Sequence, residues 1–158
     1  MVADAFGSAV EADLVEAIRA SPEYRPALSL VATLDDEVVG HVMLSGARLR
    51  HGESTRPILM LSPLAVAPSH QRHGVGSALV RAAVALADED GEPMVVLEGN
   101  PGYYGRLGFE PAVARGITLP LPDWAPPEAA QVMTLGAYDA ADPTLHGTVE
   151  YPAAFDGL

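Results

Sequence analysis

The chain contains no cysteine and no lysine among its 158 residues. Without cysteine there is no disulfide, no thiolate zinc site and no thiol nucleophile. Without lysine, the nucleoside-triphosphate loop, whose lysine reaches the phosphates, is excluded. Long hydrophobic runs are missing too, since none approaches the roughly 20 apolar residues that span a bilayer. The opening stretch MVADAFGSAVEADL has neither a basic region nor an apolar core, so it does not read as a signal peptide. These absences favour a cytoplasmic protein with no membrane partner and no resident metal. Hydrophobic residues make up 49% of the chain, enough to bury a core, and the length suits one domain over 1–158.

Positive charge is scarce and local. The net charge is −12, yet the stretch 41–81 carries five arginines (Arg48, Arg50, Arg56, Arg72, Arg81) against one acid, Glu53. So acidic a whole argues against non-specific nucleic-acid binding. A single basic island suits a small ligand bearing phosphate. The runs Asp35-Asp36-Glu37 and Asp88-Glu89-Asp90 read as a solvated turn and a solvated loop.

Apolar spacing predicts a helix over 9–20, with Val10, Leu14, Val15 and Ile18 on one face, ended by Ser21-Pro22. LSLVATL (28–34) and VVGHVMLSGARL (38–49) read as a strand pair around the turn at 35–37, followed by a polar loop over 50–57. ILMLSPLAVA (58–67) reads as a buried central strand. Pro63 within it cannot donate to a sheet ladder, so a bulge is expected there, splaying the strand from a neighbour. The segment 77–90 reads as a helix with a wide apolar face, MVVL (94–97) as a short buried strand, and 116–119 and 132–135 as further strands. Strand, loop, helix and strand from Ile58 to Leu97 make a crossover whose loop at the strand's carboxyl end faces a ligand.

That loop contains Gln71-Arg72-His73-Gly74-Val75-Gly76-Ser77. Backbone amides that feed a helix N-terminus make an anion site, and glycine lets the backbone approach a phosphate closely. A dinucleotide fold is the rival, with Glu98 standing 22 residues after Gly76 as its ribose acid. Against it, Leu79 replaces the third glycine, and the residues from Pro68 to His73 separate strand from glycine.

LAVAPSHQRHGVGSALV resembles the acetyl-CoA motif of the GNAT superfamily of N-acetyltransferases, in which a strand end and short loop precede Gln/Arg-x-x-Gly-x-Gly/Ala. Tyr103-Tyr104-Gly105-Arg106-Leu107-Gly108-Phe109 is similar to the family's Tyr-x-x-x-Gly-Phe segment, and it follows in the family's order. The tail Gly147-Thr148-Val149-Glu150-Tyr151-Pro152-Ala153-Ala154-Phe155 resembles a bacterial branch with a β-rich end. The resemblance, over about 10–158, implies an α/β fold: a central mixed, twisted sheet flanked by helices, with a splayed central strand. It implies transfer of acetyl from acetyl-CoA to a primary amine, with no metal. The absence of cysteine and of a serine-histidine-acid set makes that transfer direct.

By the same resemblance, the backbone of Leu64, Ala65 and Val66 pairs with the pantetheine arm, and a freed amide near Leu64 steadies the oxyanion. The loop from Gln71 to Ser77 (Gln71, Arg72, His73, Gly74, Val75, Gly76, Ser77) binds the cofactor, its amides on the pyrophosphate. Tyr104 contacts the cofactor as general acid. Glu98 is either the general base or a solvated strand-end carboxylate. Asn100 either bonds the cofactor arm or supports its own turn. His70 and His73 are spaced like a metal pair but find no third ligand. His41 reads as a packing or pocket residue, and His51 and His146 as loop surface. A family member opens with a strand ahead of the first helix seen here, so either the real start lies upstream, or LSLVATL keeps an exposed edge that a second chain, in a homodimer, or the tail covers. A non-catalytic acyl-CoA-binding module of the same fold is the alternative function.

Overall fold

The computed structural model describes residues 10–156. The start, 1–9, lies outside that range, as does any strand ahead of the first helix. Helix α1 (Val10–Arg19) buries Leu14, Val15 and Ile18 against Met43 of the sheet, the face its apolar spacing requires.

The strands β1 (Ser29–Leu34), β2 (Glu37–His51), β3 (Ser54–Val66), β4 (Met94–Glu98), β5 (Glu110–Pro111), β6 (Ile117–Thr118), β7 (Ala130–Thr134) and β8 (Gly147–Glu150) form one mixed sheet. Its order is β5-β7-β4-β3-β2-β8-β6, with β1 also paired to β2. The connection from β3 to β4 is the expected crossover through helix α2 (Val75–Glu89), and β3 and β4 run parallel. Helix α2 packs Leu79, Val80, Ala83 and Ala87 on Val42, Leu44, Leu59, Leu61, Val95 and Leu97. The opposite face of the sheet carries α1 and the C-terminal tail.

The acidic turn forms as expected, with Asp35 and Asp36 both at positive φ, the conformation a two-residue hairpin turn favours. The polar loop expected over 50–57 is not a loop. Strand β2 runs on to His51 and β3 begins at Ser54, leaving a turn at Gly52 and Glu53. Those strand ends project beyond the core, so they keep the ladder while losing apolar alternation. The tail does not cover the edge of β1 either. Its strand β8 pairs with β2 over Arg48–Arg50, further along, and among the described residues the outer edge of β1 has no partner strand.

The bulge expected at Pro63 is present. Val42 faces Leu64 and Leu44 faces Leu61, so β3 has one residue more than β2 between those pairs, the Ser62-Pro63 step. On its other edge, β3 pairs with β4 only at Leu59–Val95 and Met60–Val96. Beyond them the two strands part. Leu61–Val66 line one side of a gap, and Leu97 and Glu98, held by β7, line the other.

His41 is a buried packing residue, 3% exposed, its Nε2 at 3.2 Å from Ser29 Oγ and its Nδ1 without a partner. Burial, and then Arg19, hold its pKa below the ordinary 6.5. The unfolded chain therefore takes up this proton first as pH falls. Stability from His41 is complete above about pH 6.5 and is lost as pH falls through the lower, folded pKa. Urea midpoints measured from pH 7.5 down to 5 should decline, and His41→Leu should flatten that decline.

Candidate active site

The glycine loop is built on backbone geometry. Gly74 caps α2 in the left-handed conformation, φ 82°, and supplies no side-chain cap. The first amide in α2 with a partner is that of Ala78, bonded to Gly74 O at 3.0 Å. The amides of Val75, Gly76 and Ser77 are thus left to an anion, at the positive end of a 15-residue helix. Arg72, exposed and itself at φ 67°, makes no ion pair among the described residues. It and exposed His73 flank the same amides.

The two glycines of the motif serve different needs. A Cβ on Gly74 meets nothing within 4 Å, so that site needs glycine only for its φ. A Cβ on Gly76 would stand 2.6 Å from the Tyr103 hydroxyl, so that site needs glycine for space. Tyr103 leans on the helix start, its hydroxyl 3.5 Å from Ser77 Oγ.

Two assigned side chains are spent on local structure. Gln71 donates from Nε2 to Val66 O at 3.0 Å, which ties the loop to the end of β3. Asn100 accepts from Gly102 N at 2.8 Å and caps the short helix α3 (Pro101–Tyr104). Asn100 thus supports its own turn, and its Nδ2 makes no hydrogen bond among the described residues.

Tyr104 ends α3 beside the gap. Its ring packs edge-on against Phe109 and Tyr103, with centroids 5.7 and 4.9 Å away. Burial, and then Tyr103, push its phenol up to about 12, so it holds its proton throughout the neutral range. Leu64 borders the same core cluster as Tyr104, while Ala65 is buried and Val66 half-buried on the strand that lines the gap.

Glu98 stands across the gap, at the end of β4. It and its neighbour Leu97 are fixed by pairing with Ala130 and Gln131 of β7, and Gln131, buried, donates to Gly99 O at 3.0 Å. Glu98 accepts a hydrogen bond from the Tyr151 hydroxyl. No arginine or histidine pairs with it among the described residues. Neither Tyr151 nor Gln131 carried a sequence signal for this place, because both arrive through strand register. The Ser29–His41 contact is no nucleophilic triad, since His41 Nδ1 is buried without an acid to orient it. Among the described residues no cluster of three His, Asp or Glu is placed to hold a metal ion. A groove of about 570 Å³ between β1 and the start of α2 is lined by Leu30, Ala32 and Ala78 together with His73, Gly74 and Val75 of the glycine loop itself.

The geometry separates fold from binding at Gly74. Gly74→Glu should cost stability only about 1–2 kcal/mol, the left-handed penalty, since its Cβ has open space. Calorimetry should find acetyl-CoA binding abolished in that variant, because a carboxylate then faces the phosphates.

An acetyltransferase (GNAT) domain model matches residues 1–112. The uncharacterized N-acetyltransferase YjhQ of Escherichia coli is 37% identical over 158 aligned residues, covering 92% of this chain and 86% of that protein. The crystal structure of the GNAT-family YhbS from E. coli, in complex with CoA, superimposes with a TM-score of 0.81 at 31% identity, over 98% of this chain and 82% of the other. A GNAT-family acetyltransferase from Brucella melitensis, in complex with acetyl-CoA, gives 0.73 at 28% identity over 98% and 88%. The uncovered helix amides and the open gap fit acetyl-CoA as co-substrate. No helix among the described residues is long and apolar enough to cross a membrane. With a family model over residues 1–112 and relatives alike in sequence and fold over nearly the whole chain, the chain belongs to the GNAT family of acetyl-CoA-dependent N-acetyltransferases.

Proposed function

We propose that the enzyme moves acetyl directly from acetyl-CoA to the primary amine of a small molecule or peptide, with Glu98 as general base and Tyr104 as general acid. The observation that carries this reading is the end of β3–β4 pairing after Met60 and Val96, with the Tyr104 ring beside Gly99 and the Glu98 carboxylate, which has no cationic partner among the described residues, one position earlier. Acetyl-CoA supplies the activated thioester. The amides of Val75, Gly76 and Ser77 hold its pyrophosphate, and the free backbone edge of Leu64, Ala65 and Val66 pairs with its arm as an added strand would. One domain, 1–158, carries the activity, supported by a single sheet that links the motif half to the tail.

The protons balance as follows. An acceptor ammonium gives one proton to Glu98, and the freed lone pair attacks the thioester carbonyl. The tetrahedral adduct breaks its carbon–sulfur bond. Tyr104 donates a proton to the departing thiolate and is restored by the remaining ammonium proton of the adduct. Products are the acetamide and the free thiol, with Glu98 passing its proton to solvent. A backbone amide near Leu64 faces the oxyanion.

A carboxylate without a cationic partner also favours a positively charged acceptor, drawn to Glu98 as ammonium. Thiol release should fall about 10²–10⁴-fold in Tyr104→Phe and in Glu98→Gln, while calorimetric binding of acetyl-CoA stays within about twofold. Wild-type binding without thiol release for any amine would instead mark a non-catalytic acyl-CoA-binding module. Because burial pushes the Tyr104 phenol up to about 12, an alkaline limb of the rate profile below pH 10 should keep its position in the residual activity of Tyr104→Phe.

A further inference from the structure

We infer that Tyr151, carried by the C-terminal tail, is a positioning residue of the active site, which holds the Glu98 carboxylate against the gap with one oxygen free for the acceptor. This rests on reading Glu98 as the general base.

Residue 151 follows β8 immediately. The chain leaves the sheet after Glu150 and brings the ring across the face where β4 presents Met94, Val96 and Glu98. The hydroxyl of Tyr151 donates to Glu98 Oε2. That bond joins residues 53 apart in sequence. Burial, followed by the bond to Glu98 and its charge, pushes the phenol well above its ordinary 10, so it remains a donor wherever the fold persists.

The tail is fastened on both sides of this contact. Before it, Arg48, Arg50 and Leu49 of β2 pair with β8, Arg50 bonds Glu150 at 2.7 Å, and Gly147 N bonds Gly116 O at 3.0 Å. After it, Pro152 is buried and the Phe155 ring packs on Tyr151 with centroids 5.8 Å apart. Phe155 in turn reaches the core formed by α1 and Met43. The phenol therefore stands on a rigid support.

The kind of donor is what turns a fastening into a catalytic support. An arginine here would fix the carboxylate but neutralise it, which weakens a base and repels an ammonium. A phenol fixes it and leaves its charge intact. It occupies Oε2 only, so Oε1 stays open to the acceptor. A glutamate side chain without that bond samples several rotamers at the mouth of the gap, and a base misplaced by about 1 Å can lose roughly 10²-fold in rate.

The test compares wild type, Tyr151→Phe, Glu98→Gln and the double variant. The pair itself is read by proton NMR, without any turnover. Wild type should show a slowly exchanging downfield hydroxyl resonance that is absent from Tyr151→Phe and lost or moved upfield in Glu98→Gln. Free-thiol release from acetyl-CoA is then followed with water and with n-butylamine as acceptors. Tyr151→Phe should lower kcat by about 10- to 100-fold, leave KM for acetyl-CoA within about twofold, and add nothing to the loss in Glu98→Gln. Wild-type kcat in Tyr151→Phe, or multiplicative losses in the double variant, would overturn the role. A wild type without the resonance would overturn the contact itself. No wild-type turnover with either acceptor, with the resonance present, would instead overturn the reading of Glu98 as base, and the positioning role with it.

Discussion

The structure turns on the point where β3 stops pairing with β4, after Met60 and Val96. In the middle of a sheet, backbone groups without partners are costly unless something else satisfies them. The bulge at Ser62-Pro63 uses the opposite edge of β3 to keep register with β2 while the strand turns away from β4. The freed edge is the place for an extended arm, and α2 begins just beyond it with three uncovered amides for the arm's phosphates. On the proposed reading, one break in a ladder sets the cofactor's path, its anchor and the position of the thioester.

Charge is arranged around that path. The chain is strongly acidic, yet its arginines concentrate between 41 and 81, and Arg72 stands free at the phosphate loop among the described residues. Glu98, at the end of β4, has a phenol for a partner and no cation among the described residues. On the proposed reading, the first region takes phosphates and the second an ammonium. Tyr104 sits between hydrophobic neighbours that suppress its ionisation, so the acid of the pair is protected as an acid.

Much of this was legible because it is local. A proline inside an apolar strand announces a bulge, and two glycines before an amphipathic segment announce an open helix start, each within a few residues. The hairpin at 50–55 was misread as a loop because its strands run past the core, where residues turn polar while the ladder continues. Asn100 left two readings, and the bond from Gly102 N shows the turn-supporting one without touching the other. Tyr151 and Gln131 carry no local mark. Their places come from the pairing of β8 with β2 and of β7 with β4, which no spacing along the chain encodes.

The most direct test of this account is a crystal structure of the enzyme with acetyl-CoA bound. The pantetheine arm should lie between Leu64–Val66 and Leu97–Glu98, its pyrophosphate on the amides of Val75, Gly76 and Ser77. The thioester sulfur should come within hydrogen-bond reach of the Tyr104 hydroxyl. An arm bound elsewhere, such as the groove between β1 and α2, or a gap closed by renewed pairing of β3 with β4, would contradict it.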